Sequence, residues 1–164
     1  IGKMATYCNE QKRKLEQRFK VVEISRELGI ANLVTPARRF VRSGEVQKVR
    51  SSEKEIVPTH IYLFNDLLVL IKDSGKGSRT LFQNMRKKMI SFPERKTTAF
   101  TFASSSKAIY INTFVLSIEG MRKQYRFNCA SREECLEWIK DINTAVEETN
   151  SSLSVVRKSR VIGA

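Results

Sequence analysis

Three prolines, seven glycines, three cysteines, one histidine and one tryptophan are few for a chain of 164 residues, and each scarcity removes a class of protein. With so little proline and glycine the chain is neither collagen-like nor a low-complexity linker, and 41% hydrophobic with 29% charged residues lies in the range of packed domains. A lone histidine, His60, excludes a multi-histidine metal site and obliges any Ser-His or Cys-His pair to use it. Cys8, Cys129 and Cys135 are odd in number and match neither a disulfide scaffold nor the Cys-x-x-Cys pairs of zinc modules, so a reducing, cytoplasmic setting is expected. Long apolar runs are missing as well. The longest, Leu67 to Ile71, is far short of the roughly 18 residues of a membrane-spanning helix, and no signal-peptide pattern opens the chain.

What is abundant is positive charge. Thirty Lys and Arg against seventeen Asp and Glu give +13 and a pI near 10.0, which favours a polyanionic partner, either nucleic acid or an anionic lipid surface. Nucleic acid is the poorer candidate, because the basic stretches carry no interleaved aromatics for base stacking and no helix-turn-helix or zinc-finger spacing. The chain starts at Ile1 and finishes in a Ser-rich basic segment, so it is expected to be a piece of a longer polypeptide.

Residues 3–28 contain no Pro or Gly, and Leu15, Phe19 and Val22 share one helical face; Gly29 suits the C-cap. This predicts an amphipathic helix whose apolar stripe meets a segment upstream of the chain, or alternatively the downstream domain. From Phe40 the period changes to short β-rich runs. Gly44–Arg50 is a strand without an assignable inner face. Ile61 and Leu63 alternate with Tyr62 and Phe64, as in a strand covered on both sides. Asn65-Asp66 joins Thr59–Phe64 to Leu67–Ile71 as a tight hairpin, and Asp73–Ser78 is a loop. A less regular strand follows from Thr80 through Met89, Ile90 and Phe92, and another lies at Ala99–Phe102. Asn112–Ile118 and Gln124–Asn128 flank a turn at Glu119–Arg122. Ser131 and Glu134 form a capping box for a helix running to about Glu148, with Cys135, Trp138, Ile139, Ile142, Ala145 and Val146 on one face. The fold class expected is mainly β: a seven-stranded antiparallel bent sheet or barrel capped by a C-terminal helix, with an extra N-terminal helix.

Catalytic groupings are missing. His60 reads as a cross-strand or surface contact, and Cys129 and Cys135 as small buried residues without a base. Ser74–Ser78 fails the phosphate-loop pattern because Leu70 stands where the first glycine belongs. No enzyme, metal or cofactor is expected. Basic residues are nonetheless concentrated: Lys72–Lys96 holds eight against Asp73 and Glu94, whereas the last helix carries Glu133, Glu134, Glu137, Asp141, Glu147 and Glu148. A polarised domain follows, with Lys48, Arg50, Lys54, Lys72, Lys76 and Arg79 converging on the rim opposite the acidic helix as a lipid-binding site.

Phe40–Lys48, with Gly44 and Lys48 in a Gly-x-x-x-Lys pattern, resembles the first strand of a pleckstrin-homology domain, and Ile61–Val69 with its Leu-Phe-Asn-Asp form resembles the second hairpin of such domains in Dbl-family Rho exchange factors. Tyr125-Arg126-Phe127 and the helix with Trp138 are similar to the family's last strand and helix. The resemblance implies residues 1–30 as the end of the last helix of an upstream Dbl-homology domain, 31–39 as a linker, 40–148 as the pleckstrin-homology domain with an insertion at 93–111, and 149–164 as a flexible tail. It further implies a monomeric regulatory module that contacts anionic phospholipid or phosphoinositide headgroups at a membrane's periphery and reaches a Rho-family GTPase through its longer protein. A protein-interaction role without lipid specificity is the alternative. Pro58-Thr59-His60 lacks the second basic residue of phosphoinositide-selective members, so weak, charge-driven binding is expected.

Overall fold

The computed structural model describes residues 2–50, 56–72, 86–102, 111–122 and 124–162. Helix α1 (Gly2–Leu28) leads through a 3-10 turn (Ala31–Leu33) into strands β1 (Phe40–Val49), β2 (Ile56–Phe64), β3 (Leu67–Lys72), β4 (Arg86–Ser91), β5 (Thr97–Thr101), β6 (Thr113–Ile118) and β7 (Tyr125–Asn128), then α2 (Arg132–Ile162). The strands form one antiparallel sheet in the order β4-β3-β2-β1-β7-β6-β5. The expected architecture is therefore present. The Asp73–Ser78 loop, the first part of the strand expected from Thr80, and the loop at Ser104–Lys107 fall outside the described residues.

Alternation along β2 sends Ile61 and Leu63 to one core and Tyr62 and Phe64 to another. The inner core also holds Val46, Leu68, Leu70, Ile90, Phe114, Leu116 and Phe127, closed over by Cys135, Trp138, Ile142 and Ala145 of α2. Trp138 is 1% exposed, as its place on the apolar face predicts. Gly44 passes so close beneath it that a Cβ there would stand 3.2 Å from Trp138 Cζ2. The N-terminus of α2 is capped by Ser131, whose Oγ accepts from the Glu134 amide at 3.2 Å; the Glu134 carboxylate accepts in turn from the Ala130 amide, one residue before the expected donor.

The outer core corrects the reading of α1. Leu15 and Phe19 are 53% and 72% exposed, and the buried residues are Val21, Ile24 and Leu28, which meet Tyr62, Phe64, Leu67, Val69 and Ile71. The end of α1 thus docks on the downstream sheet, while the stripe chosen from its spacing points elsewhere. At Gly29 (φ 68°) the chain leaves the helix in a Schellman arrangement: Ile30 N donates to Ser25 O at 3.1 Å, and Gly29 N to Arg26 O at 3.3 Å. Lys87 of β4 donates to the carbonyl of Leu28. The linker is fastened to the β2–β3 turn. Arg38 donates to both Asp66 carboxylate oxygens, at 2.8 and 3.0 Å, and to Leu33 O at 2.8 Å, while Asn65 Oδ1 accepts from Arg39 N at 2.7 Å.

Helix α2 also departs from expectation. It continues through residues 149–162 instead of ending near Glu148, because no Pro or Gly interrupts the chain between Met121 and Ile162 and the serines lower helix propensity without stopping it. Thr149 Oγ1 donates to Asn65 O at 3.0 Å, holding this continuation beside the β2–β3 turn.

Candidate anion-binding end of the sheet

The pleat that builds the inner core also carries lysines to the end that no described helix covers, its open end. On β1, Arg42, Gly44, Val46 and Lys48 share the inner face; on β3, Leu68, Leu70 and Lys72 do; on β4, Lys88 and Ile90; on β7, Tyr125 and Phe127. Each of three strands ends its inward row in a lysine one step beyond the last apolar residue. Pairing brings these ends together, with Lys48 opposite Val57 on β2 and Phe127 on β7, Lys72 opposite Thr59, and Lys88 opposite Leu70.

Tyr125 lies at the centre. Lys48 Nζ stands 4.6 Å and Lys88 Nζ 4.8 Å from the centroid of its ring, and Lys88 donates to its hydroxyl. The ring is stacked on Phe127 with centroids 6.1 Å apart, so the cations rest on the inner core's last aromatic layer. Burial first, then the neighbouring Lys72, Lys88 and Arg50, push the Lys48 amine down to about 8 from its ordinary 10.5. Among the described residues no carboxylate forms a salt bridge with Lys48, Lys72 or Lys88. Beside them opens a cleft of about 760 Å³ lined by Lys48, Arg50, Lys88, Ser117, Arg122, Gln124, Tyr125 and Arg126.

Of the six expected lipid-binding residues, Lys48 and Lys72 are brought together with Arg50 beside them, and Lys54, Lys76 and Arg79 lie outside the described residues. Lys88, Tyr125, Arg122 and Arg126 were missed. Alternation would have found Lys88, since it stands two residues before the core residue Ile90, whereas its neighbour Lys87 is on the other face and holds α1. The remaining candidates are structural. His60 packs on Tyr62, ring centroids 4.7 Å apart, and burial lowers its basicity. Cys129 and Cys135 are buried, and burial pushes the Cys129 thiol up to about 12.

At the opposite end of the same strand face, Arg42 stacks 5.1 Å from the Trp138 ring centroid and reaches Glu137 at 2.5 Å and Asp141 at 3.2 Å. The sheet is thus rimmed by cations at one end and plugged at the other by the acidic first part of α2. The pleckstrin homology domain model matches residues 29–160. The chain belongs to that family. FYVE, RhoGEF and PH domain-containing protein 3 of Homo sapiens is 24% identical over 149 residues, covering 90% of this chain and 19% of the relative. The chain thus spans about a fifth of that relative's length. Among solved structures, the linker-DH/PH domains of p115-RhoGEF share the fold with a TM-score of 0.64 at 16% identity, over 89% of this chain and 44% of that one. Strands, linker and α2 alone do not supply 89% of the chain, so the match takes in part of α1. The DH/PH domains of PDZ-RhoGEF, solved in complex with RhoA, match with a TM-score of 0.59 at 17% identity over 87% of this chain and 43% of that one.

Proposed function

We propose that this pleckstrin homology domain is the membrane-facing regulatory module of a Rho-family guanine-nucleotide exchange factor, and that Lys48, Lys72 and Lys88, with Arg50, receive anionic phospholipid or phosphoinositide headgroups. One observation carries the reading: three lysines are aimed into the open end of the sheet with no carboxylate paired to them among the described residues, an arrangement that an arriving phosphate relieves. The strand opposite Lys72 presents Thr59 rather than a cation, which favours charge-driven over stereospecific recognition. No helix among the described residues is long and apolar enough to cross a membrane, so contact with lipid would be peripheral. Sedimentation with vesicles tests the reading: binding to vesicles containing phosphatidylserine that weakens steeply with salt is expected, and equal binding to neutral and anionic vesicles would overturn it.

A second contact is supported by α1. Met4, Leu15 and Phe19 form an exposed apolar stripe on the side of the helix turned from the sheet. In the longer protein this stripe would pack among helices of the exchange domain, through which the GTPase is reached. The domain alone is not expected to exchange nucleotide, and a fragment extended upstream should recover that activity on a Rho-family GTPase.

A further inference from the structure

Lys48 differs from the other described lysines in what surrounds it. Its amine is half-buried beside the cleft, over the Tyr125 ring, and the charged groups facing it among the described residues are cations: Arg50 just beyond its own strand, Lys72 on β3 and Lys88 on β4, with Arg122 and Arg126 along the cleft wall. Among the described residues Tyr125 on β7 is the one other titratable group against it, and its hydroxyl is already engaged by Lys88. β2 contributes only Val57 at the paired position. An ammonium in such a place gives up its proton more readily than a solvated one, and a neutral amine is a nucleophile. The cleft leaves room beside it for a small acyl group.

We propose that Lys48 is a modification site, the amine of this domain that acyl thioesters acylate ahead of the exposed lysines. The neutral Nζ attacks the thioester carbonyl carbon; the C–N bond forms, the C–S bond breaks, the thiolate departs, and the proton released by the nitrogen passes to solvent and neutralises it. The product is an uncharged amide at the centre of the lysine group. If the proposed membrane function holds, acylation lowers affinity for anionic surfaces, and that consequence alone rests on the proposed function; the reactivity of Lys48 does not.

At about pH 7.5 an amine titrating near 8 has roughly 200-fold more of its neutral form than one at the ordinary lysine value, and its lower intrinsic nucleophilicity offsets part of this, leaving an advantage of about tenfold. The test treats the chain with limiting acetyl-coenzyme A near neutral pH and maps acetylated peptides by mass spectrometry. Lys48 should acetylate about tenfold faster than Lys12 and Lys14 on the exposed face of α1, and Lys88→Met or Lys72→Met should reduce that lead severalfold by removing a repelling charge. A Lys48 rate equal to or below those of Lys12 and Lys14, or a lead unchanged in both variants, overturns the assignment. Vesicle sedimentation of the untreated chain separates the two ideas. A chain that acetylates first at Lys48 yet never sediments supports this site and overturns the membrane reading. One that sediments on anionic vesicles without any Lys48 preference does the reverse.

Discussion

Arg42 and Lys48 sit six residues apart on the same face of the same strand, and their surroundings are opposite. Arg42 lies over Trp138 and is neutralised by Glu137 and Asp141 of α2; Lys48 lies over Tyr125 and is faced by Lys72, Lys88 and Arg50. Both cations rest on an aromatic ring at an end of the inner core. One end is closed by a helix that brings its own carboxylates, and at the other no carboxylate among the described residues pairs with the lysines. What separates the two charges is an acidic partner, present for Arg42 and absent for Lys48 among the described residues, and the count of basic residues does not reveal it. Stability should therefore be concentrated at the Arg42 end and ligand binding at the Lys48 end.

The largest effect is expected at the closed end. Trp138 of α2 is fully buried over Gly44 of β1, and its removal leaves a cavity that the sheet cannot fill, so Trp138→Ala should cost about 3–5 kcal/mol. Chemical denaturation measures it. As the only tryptophan, Trp138 also reports on itself: native emission should be blue-shifted and move red on unfolding. Native emission at the water-exposed wavelength, with an unaltered midpoint in the variant, would remove the closed end from the comparison.

A matched pair of substitutions sharpens it. Arg42→Met keeps the apolar stem and discards two partly exposed ion pairs and the stacking on Trp138, for a loss of about 1–2 kcal/mol. It should leave vesicle binding within about twofold, because the charge removed was already neutralised. Lys48→Met relieves repulsion among like charges, so stability should stay within about 0.5 kcal/mol or rise. Affinity for anionic vesicles should instead fall about fivefold, the effect of one basic residue near a charged surface. Equal losses of stability in the two variants would falsify the division between the ends.

Much of this contrast was written in the alternation of the strands, and some of it was not. Leu68-x-Leu70-x-Lys72 and Val46-x-Lys48 declare an inward row that finishes in a cation, and Asn65-Asp66 marks the hairpin that sets their register. Lys88 was legible by the same rule but was hidden in the run Arg86-Lys87-Lys88, where composition treats neighbours alike and the pleat sends them to opposite faces. Tyr125 could not be recognised as the platform, since its meeting with Lys48 and Lys88 depends on three strands distant in sequence. The face of α1 was misjudged for a related reason. The helix carries apolar residues on two sides, Leu15 and Phe19 on one and Val21, Ile24 and Leu28 on the other, and spacing cannot say which side the sheet takes. The end of α2 was missed because serines signal a tail by composition, although nothing in residues 149–162 forbids a helix.

The smallest effect concerns protons at the open end. Lys48 titrates near 8 in the folded chain, first because it is buried and then because of Lys72, Lys88 and Arg50, against an ordinary value of 10.5. Between those two values the unfolded chain holds more proton than the folded one, so the contribution of Lys48 to stability rises as pH increases from 8 towards 10.5 and is constant below 8. Other groups oppose it. Burial pushes Cys129 up to about 12 from 9.0 and Tyr62 up to about 12 from 10.0, so their contributions fall as pH rises above 9 and 10 respectively. The total is therefore uninformative, and the difference between the unsubstituted chain and Lys48→Met isolates the lysine. That difference should shift in favour of the unsubstituted chain as pH goes from 8 to 10, while vesicle binding of the unsubstituted chain weakens over the same interval as its charge is lost. Denaturation midpoints of the two chains that stay parallel from pH 8 to 10 would mean that Lys48 is as well solvated as any surface lysine, and that the open end has no more internal repulsion than the closed one.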